Sequence, residues 1–496
     1  MERPRITLDG SSLTIQDLVN VTRRFYRVEI ATQSIEKINY SSQIVQGILS
    51  EQRRVYGVTT GFGFLQDVAI SSSDSERLQL NLVRSHSAGV GIEYPEEIVR
   101  GMMLLQANKF ARGNSGIRLT TVNLLLELLN KGITPIVPSK GSLGASGDLA
   151  PLAHLTAALI GEGEVMYKKQ RLTSIKALEE ANLEPVTLIA KEGLALLNGT
   201  QAMTSIAALA IYDSEYLLKI SNIAVALSME VHRANIDSLN PLIHEARPHP
   251  GQIFIAQSLR DLLEGSRLVH RNVGRQDCYS LRCAPAVHGA SLDTLEYVRK
   301  VIEIEMNSST DNPLIFSPNE IYSGGNFHGQ PVALAMDFLG IALAEIGNIS
   351  ERRTEHLLNP TLSGLPAFLT PDSGLNSGFM IAQYSAASLV SENKHLASPA
   401  SVDSIPVSAN QEDHVSMGSI AAAQTRQIIE HLEIILAIEL LCVCQAIDLA
   451  GIKNELAPPL REDFNILRKV IPVLESDREL SSDIKKVSAL IKTRAF

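Results

Sequence analysis

Apolar residues recur at helical spacing along most of this chain, and its longest runs are apolar on nearly every face. Thr14, followed by Asp17 and an apolar-periodic run, predicts an N-cap and a first helix. Ser34–Glu51, Asp74–Ser87 and Pro95–Arg112 read as further helices. Strand signals are short. Arg5–Leu8 is one, and Glu164–Tyr167 with Arg171–Thr173, joined by Lys168–Gln170, forms a small hairpin pattern. Ala202–Arg233, Gln330–Leu358 and His414–Ala450 are long runs with few breakers. A helix of about 30 residues spans roughly 45 Å, so several side by side make a bundle. Helices apolar on nearly all sides must be buried on nearly all sides, which predicts subunits that share a larger bundle. The expected fold is mainly α: a small α+β N-terminal region over residues 1–200, then a long-helix bundle over residues 201–496.

The chain has 496 residues, 45% of them hydrophobic, enough for a large core. No stretch reads as a membrane span. The apolar runs near Ile206–Ser228 and Ile428–Ile447 are interrupted by Asp213, Glu215, Lys219, Glu430, Glu433 and Glu439. The net charge of -10, without basic tracts, argues against a nucleic-acid partner. The start, Met1-Glu-Arg-Pro, lacks the apolar stretch of a signal peptide. Cys278, Cys283, Cys442 and Cys444 have neither a disulfide-framework spacing nor a paired metal-site spacing. No HExxH string marks a metal hydrolase, and no metal is expected. A reducing cytoplasm is the expected setting. Polar, glycine-rich clusters fall between the long runs at Gly141–Asp148, Ser323–Gly329 and Ser404–Glu412, where loops set on rigid elements carry chemistry.

One of these clusters opens Gly141-Ser-Leu-Gly-Ala-Ser-Gly-Asp-Leu-Ala-Pro-Leu-Ala-His154. Within it Ala145, Ser146 and Gly147 are small, and glycine lets the backbone bend back sharply. If the Gly147 nitrogen attacks the Ala145 carbonyl carbon, a five-membered ring closes. Loss of water there, and of the Ser146 hydroxyl as water, leaves an exocyclic methylene. That group is a soft electrophile which none of the twenty side chains provides. Taken as Ala-Ser-Gly alone, the tripeptide would be an ordinary turn.

The longer string resembles the signature of the aromatic amino acid ammonia-lyases, whose prosthetic group is 4-methylidene-imidazol-5-one (MIO). The resemblance runs from about Val55 to Ala450. Val55-Tyr-Gly-Val-Thr-Thr-Gly-Phe-Gly63 is similar to the family's tyrosine loop, and Glu192-Gly-Leu-Ala-Leu-Leu-Asn-Gly-Thr-Gln201 to its asparagine loop. Gln276-Asp-Cys-Tyr-Ser-Leu-Arg-Cys283, Gly324-Gly-Asn-Phe-His-Gly-Gln330 and Ser408-Ala-Asn-Gln-Glu-Asp-His414 match in family order. It implies a long-helix bundle of the ammonia-lyase and fumarase-like type. It also implies a homotetramer with each active site built from three subunits, and an MIO made autocatalytically from Ala145-Ser146-Gly147 with no external cofactor. The fumarase-like serine loop itself, Gly-Ser-Ser followed by Met-Pro, is not found.

The implied reaction removes ammonia and a proton across the Cα–Cβ bond of an aromatic L-amino acid, by attack of either the substrate amine or its ring on the electrophile. Tyr56 is the first choice of base by resemblance. A tyrosine is normally protonated near neutral pH, so this role depends on its neighbours. Arg282 suits the substrate carboxylate, because a guanidinium fork matches a carboxylate; a salt bridge to Asp277 is the bland alternative. Tyr279 and Asn198 fall in matching segments and are assigned to orienting the MIO and the substrate. Gln276, Phe327 and Gln411 complete the implied pocket.

Two features point to histidine as substrate. Histidine-specific members of the family resemble Ser85-His86 within Arg84-Ser-His-Ser-Ala-Gly-Val-Gly91, and they resemble Glu412 within Asn410-Gln-Glu-Asp-His414. His86 can exchange a hydrogen bond with an imidazole. A carboxylate at Glu412 suits an imidazole or an ammonium but is costly against a phenyl ring; it is also a second possible base. Asp413 reads equally well as a cap for the helix expected from His414. The chain departs from the histidine-specific pattern at Cys278, Ala284, Ala286 and His288, all near Arg282. A tyrosine or phenylalanine lyase, an aminomutase that returns ammonia to Cβ, and a non-catalytic homologue are the alternatives.

Overall fold

The structure is a computed structural model that describes residues 4–71, 74–271, 274 and 276–496, so Met1–Arg3 of the N-terminal stretch read above lie outside the described residues. Helix covers 60% and strand 9%, which makes the fold mainly α as expected. The helices are α1 (Ile15–Arg23), α2 (Thr32–Ser50), α3 (Ser75–His86), α4 (Glu96–Ala111), α5 (Leu119–Lys131), α6 (Leu149–Leu159), α7 (Ser174–Glu180), α8 (Glu192–Leu197), α9 (Gln201–Val231) and α10 (Pro241–Glu245). They continue with α11 (Pro250–Leu262), α12 (Tyr279–Arg282), α13 (Ala284–Met306), α14 (Gln330–Leu358), α15 (Pro360–Ser363), α16 (Met380–Leu396), α17 (Gly418–Ala450), α18 (Pro458–Val470) and α19 (Leu480–Lys492). The strands are β1 (Arg5–Leu8), β2 (Arg27–Ile30), β3 (Val90–Glu93), β4 (Thr134–Pro135), β5 (Pro138–Lys140), β6 (Glu164–Tyr167), β7 (Gln170–Thr173), β8 (Leu314–Ser317) and β9 (Glu320–Tyr322).

Local signals account for many boundaries. At α1 the Thr14 side chain accepts from the Asp17 amide while the Asp17 carboxylate accepts from the Thr14 amide, a reciprocal cap. β1 and β2 pair in parallel on either side of α1, with Arg5 opposite Arg27. The hairpin β6–β7 turns on Lys168 and Lys169, at φ 50° and 64°. A two-residue turn with both residues left-handed matches strand twist, so Gln170 joins the strand rather than the turn. The last long helix starts at Gly418, not His414, because Met417 is drawn off the helix path to donate its N–H to Leu143 O.

The described residues of Met1–Tyr212, with Arg299–Asp337 and Pro399–Ala423, form one compact unit. Asp213–Val298, Phe338–Ser398 and Gln424–Phe496 form a second. The chain itself buries α9 nearly throughout and α17 from Ile435 to Ile447, while the first half of α17 is covered only in part, with Ile420 39% exposed. α14 is different. Leu334, Phe338 and Ile341 are 38%, 43% and 45% exposed and lie four and three residues apart, one stripe on that helix. α14 is long and apolar enough to cross a membrane by length and composition, a candidate absent from the sequence reading; 72% of its most apolar window is buried inside the protein.

In the second unit a buried ion pair ties the long helices together. Arg353 on α14 donates through Nε and Nη2 to both oxygens of Glu439 on α17, and both side chains are fully buried. Ser350 Oγ donates to the same carboxylate at 2.6 Å, and Ser228 Oγ on α9 at 3.4 Å. Removing one partner of a buried pair strands the other charge, at a cost of about 3–5 kcal/mol. Arg353→Met is therefore expected to lower the unfolding free energy by about that much, and Arg353→Met/Glu439→Leu to recover much of it. Urea unfolding followed by circular dichroism checks this. A single variant as stable as wild type would show that the pair does not hold these helices.

Candidate active site

The loop from Gly141 to Asp148 is held on two sides within the first unit. On one side its carbonyls are taken up by distant segments: Gly144 O accepts from Gly329 N at 3.0 Å and Ser416 Oγ at 2.8 Å, Leu143 O from Met417 N at 2.8 Å, and Ser142 O from Ser419 Oγ at 3.0 Å. On the other side Gly147 lies beside Gly199, and Asp148 N donates to Gly199 O at 2.7 Å. Gly147 has φ +74°, and a Cβ there would stand 2.0 Å from Gly199 O. Only glycine fits that conformation and that gap.

Asp148 then caps the start of α9. Its Oδ2 accepts from the Ala202 and Met203 amides at 2.9 and 3.0 Å, the unpaired first donors of α9. Complete burial pushes its carboxyl up to about 7, against the pull of the Met203, Ala202 and Ser142 hydrogen bonds.

Ser146 lines two cavities of the site. Its hydroxyl donates a short hydrogen bond to Glu412 Oε1. Glu412 follows three consecutive non-glycine residues in the left-handed region, Ser408, Ala409 and Asn410 at φ 53°, 52° and 66°, and its carbonyl accepts from Val407 N at 3.0 Å.

Tyr56, Ser85, His86, Ser146, Asn198 and Glu412 all line one cavity of about 750 Å³, whose other walls include Phe62, Leu78, Leu82, Leu194 and Leu197. A second cavity of about 480 Å³ shares Tyr56, Ser146 and Glu412 and adds Ala145, Phe327 and Gln411, with His328, Asn312 and His414. The Gly63 amide donates to the Tyr56 oxygen at 3.1 Å and fixes the phenol in the wall. Ser85 Oγ lies 3.0 Å from His86 Nδ1. Burial lowers the His86 pKa below 6.5, opposed by a hydrogen bond at Leu82 and the charge of Glu412. His86 is thus a neutral imidazole near pH 7, with one donor and one acceptor.

The other expected residues fall elsewhere. Gln276, Tyr279 and Arg282 belong to the second unit and line neither cavity. Tyr279 is 71% exposed, with the Arg282 guanidinium 4.6 Å from its ring centre. Asp277 accepts from the Asn235 amide at 2.6 Å. Asp413 caps no helix at its expected place, since α17 begins at Gly418. Several wall residues escaped the sequence reading. Leu78, Leu82 and His86 sit four residues apart on α3, a helical spacing that could have marked one face of that helix as the cavity wall.

A loop and cavity of this kind on a long-helix scaffold have relatives. The profile of the family described as aromatic amino acid lyase matches residues 13–469. The chain belongs to that family. It is 53% identical over 490 residues to the histidine ammonia-lyase of Alkaliphilus oremlandii (strain OhILAs), covering 98% of this chain and 96% of that one. The crystal structure of histidine ammonia-lyase from Trypanosoma cruzi is similar with a TM-score of 0.93 at 44% identity, over 99% of this chain and 94% of that one. Tyrosine aminomutase from Streptomyces globisporus is similar with a TM-score of 0.95 at 39% identity, over 99% and 97%.

The Asp148 carboxyl makes a pH prediction. Its folded pKa is raised from 3.8 to about 7, so the folded chain holds this proton more tightly than the unfolded one. The stability it contributes is complete below about pH 4 and is lost as pH rises through about 7. Asp148→Asn keeps a neutral side chain throughout. Relative to that variant, wild type is expected to lose stability between about pH 4 and 7, measured as the difference in thermal midpoints. Parallel curves would mean that Asp148 carries no such proton.

Proposed function

We propose that this chain is a carbon–nitrogen lyase that eliminates ammonia from L-histidine without oxidation, giving trans-urocanate, and that it does so with an MIO made from Ala145, Ser146 and Gly147. The observation that carries this reading is the Ser146 hydroxyl held on the Glu412 carboxylate, in a cavity shared by Tyr56, His86 and Asn198. The family match and the 53% identity to a histidine ammonia-lyase support it.

The residues present suit the prosthetic group. Ring closure needs a glycine nitrogen in a sharp bend, and Gly147 occupies a left-handed conformation with no room for a Cβ. It needs a serine whose hydroxyl is free of its own backbone, and Ser146 Oγ points away to Glu412. Once formed, the MIO supplies an electrophilic methylene that makes the α-amine or the β-hydrogen easier to remove.

The chain's side chains do the remaining work. His86, neutral near pH 7, offers one donor and one acceptor to a substrate imidazole. Leu78, Leu82, Leu194 and Leu197 enclose the ring and exclude water. Tyr56 and Glu412, which line both cavities with Ser146, are the groups assigned to hold the β-proton, and Asn198 orients the substrate and the prosthetic group. Arg282 takes the substrate carboxylate, with Tyr279 and Gln276 beside it, each brought to the cavity by a neighbouring subunit of a homotetramer. The exposed apolar stripe on α14 supports such an assembly. Cys278, Cys283, Cys442 and Cys444 are free, which suits a reducing cytoplasm.

L-Histidine is expected to give a rise in urocanate absorbance that L-tyrosine and L-phenylalanine do not match, and Ser146→Ala to abolish it. No product from any of the three would reject the assignment, and a β-amino acid found by mass spectrometry would replace it with an aminomutase.

His86 adds a separate expectation. An unpaired polar group on a bound ligand costs about 1–3 kcal/mol, so His86→Leu should raise KM for L-histidine by about tenfold or more. In wild type KM should rise as pH falls below 6.5 and His86 gains its proton, and the variant should lack that rise. Identical pH profiles for KM would remove His86 from substrate binding.

A further inference from the structure

α8 has only six residues, too few to be stable alone, since isolated helices below about 12–15 residues are marginal. It is held at both ends by buried side chains of the same unit. At its start Gln79 Oε1 accepts from the Gly193 and Leu194 amides at 2.9 and 3.4 Å. At its end two side chains of α4 take the last carbonyls. Lys109 Nζ donates to Ala195 O and Asn198 O, both at 2.8 Å, and Gln106 Nε2 donates to Leu196 O. The two residues that follow are Asn198, in the cavity wall, and Gly199, whose oxygen receives the Asp148 amide beside Gly147.

We propose that Lys109, with Gln106, is a positioning clamp: by gripping the carbonyl end of α8 from α4 it sets Gly199 against Gly147 and so holds the Ala145–Gly147 backbone in the bend from which the ring closes. The proposal rests on the MIO reading above. Lys109 is 1% exposed and lines neither cavity, so it is placed to act through α8 and not on the substrate. An ammonium is the natural ligand for a helix C-terminus, where the carbonyl ends gather negative charge. Burial lowers its pKa to about 7, with Asp311 pulling the other way and Lys191 adding to the fall. A lysine is thus kept in a costly place, with two backbone oxygens as its direct partners.

The closure it serves is a double dehydration. The Gly147 nitrogen bonds to the Ala145 carbonyl carbon. The Ala145 oxygen leaves as water with the Gly147 and Ser146 amide hydrogens, and the Ser146 hydroxyl leaves as a second water with the Ser146 α-hydrogen. The chain becomes lighter by two waters, which intact-mass spectrometry reads without any assay of activity.

The full-length chain, Lys109→Met, Lys109→Arg and Gln106→Leu would be compared over a time course after induction, each checked for native circular dichroism. Wild type is expected to be lighter by two waters. Folded Lys109→Met is expected to cyclise at least about tenfold more slowly, since small misplacements of reacting groups carry penalties of that size. Lys109→Arg, which keeps charge and donors, should recover part of the rate. A folded Lys109→Met that cyclises like wild type overturns the proposal. If Lys109→Met does not fold, Gln106→Leu carries the test: slower cyclisation supports the clamp, and a wild-type rate overturns it. A wild-type chain that never loses the two waters rejects the MIO reading itself, and the clamp with it.

Discussion

Two glycine backbones pressed together are the constraint on which the rest of the site depends. Gly147 and Gly199 lie so close that a Cβ on Gly147 would stand 2.0 Å from one atom of Gly199 and 2.4 Å from the next. The contact is not isolated. Asp148 donates its amide to Gly199 O and spends its carboxyl on the first amides of α9. The tripeptide, the cavity wall at Asn198 and the start of a 31-residue helix therefore share one seam. A side chain at Gly147 would part all three at once, and one at Gly199 would press on Gln201 and Thr310 beside the same helix start. The opposite edge of the loop has no such seam. There the Ser142, Leu143 and Gly144 carbonyls are met one by one by Ser419, Met417, Ser416 and Gly329.

Buried charge surrounds this seam. Glu192, fully buried at the start of α8, accepts from Arg118 and from Thr121 Oγ1 at 2.9 Å. Lys191 pairs with Asp311 at 2.8 Å, both fully buried. Such pairs are poor sources of net stability, because desolvation offsets most of the attraction. Their effect is on register. A shift of α8 by one residue would leave Glu192 or Lys191 without its partner in an apolar interior, at a cost of several kcal/mol. The arrangement penalises wrong placements more than it rewards the right one. Arg353 and Glu439 do the same for α14 and α17 in the second unit.

Much of the fold could be read from short-range signals, and these held where the deciding interaction was itself local. Thr14 and Asp17 cap α1 as their spacing required, and Gln330–Leu358 is a helix over the expected residues. The misreadings arose where distant partners decide. Val415–Met417 carry helix-compatible residues, yet the loop at Leu143 and Gly144 draws them away. The motif strings named Tyr56, Ser146, Asn198 and Glu412, which the fold brings to one cavity. Lys109 was invisible, since a lysine near the end of an amphipathic pattern looks like a solvated one. Its partners are the carbonyls at the end of α8, some 86 to 89 residues away along the chain, which periodicity does not encode. Tyr279 and Arg282 were legible as a motif but not as a place, because they stand in the other unit.

The polarity of the two cavities bears on how a histidine would lie on the proposed reading. One is walled largely by leucines and Phe62 and carries His86; the other is lined by Gln411, Asn312, His328 and His414. Ser146, Tyr56 and Glu412 border both. An amino acid with a flat ring and a charged head fits that division, ring toward the leucines and head toward the polar side. Its Cα–Cβ bond then falls beside Ser146 and its proton acceptors. Glu412 reaches this junction only by way of Ser408–Asn410, three left-handed non-glycine residues in a row. For Ser408 and Ala409 this costs about 1–2 kcal/mol each, and less for Asn410, whose short polar side chain tolerates the left-handed region; strain of this size persists where the surroundings over-determine it. The carboxylate that meets the Ser146 hydroxyl is thus carried on backbone that side chains rarely adopt, and the Val407 N–H donated to Glu412 O closes the turn that holds it there.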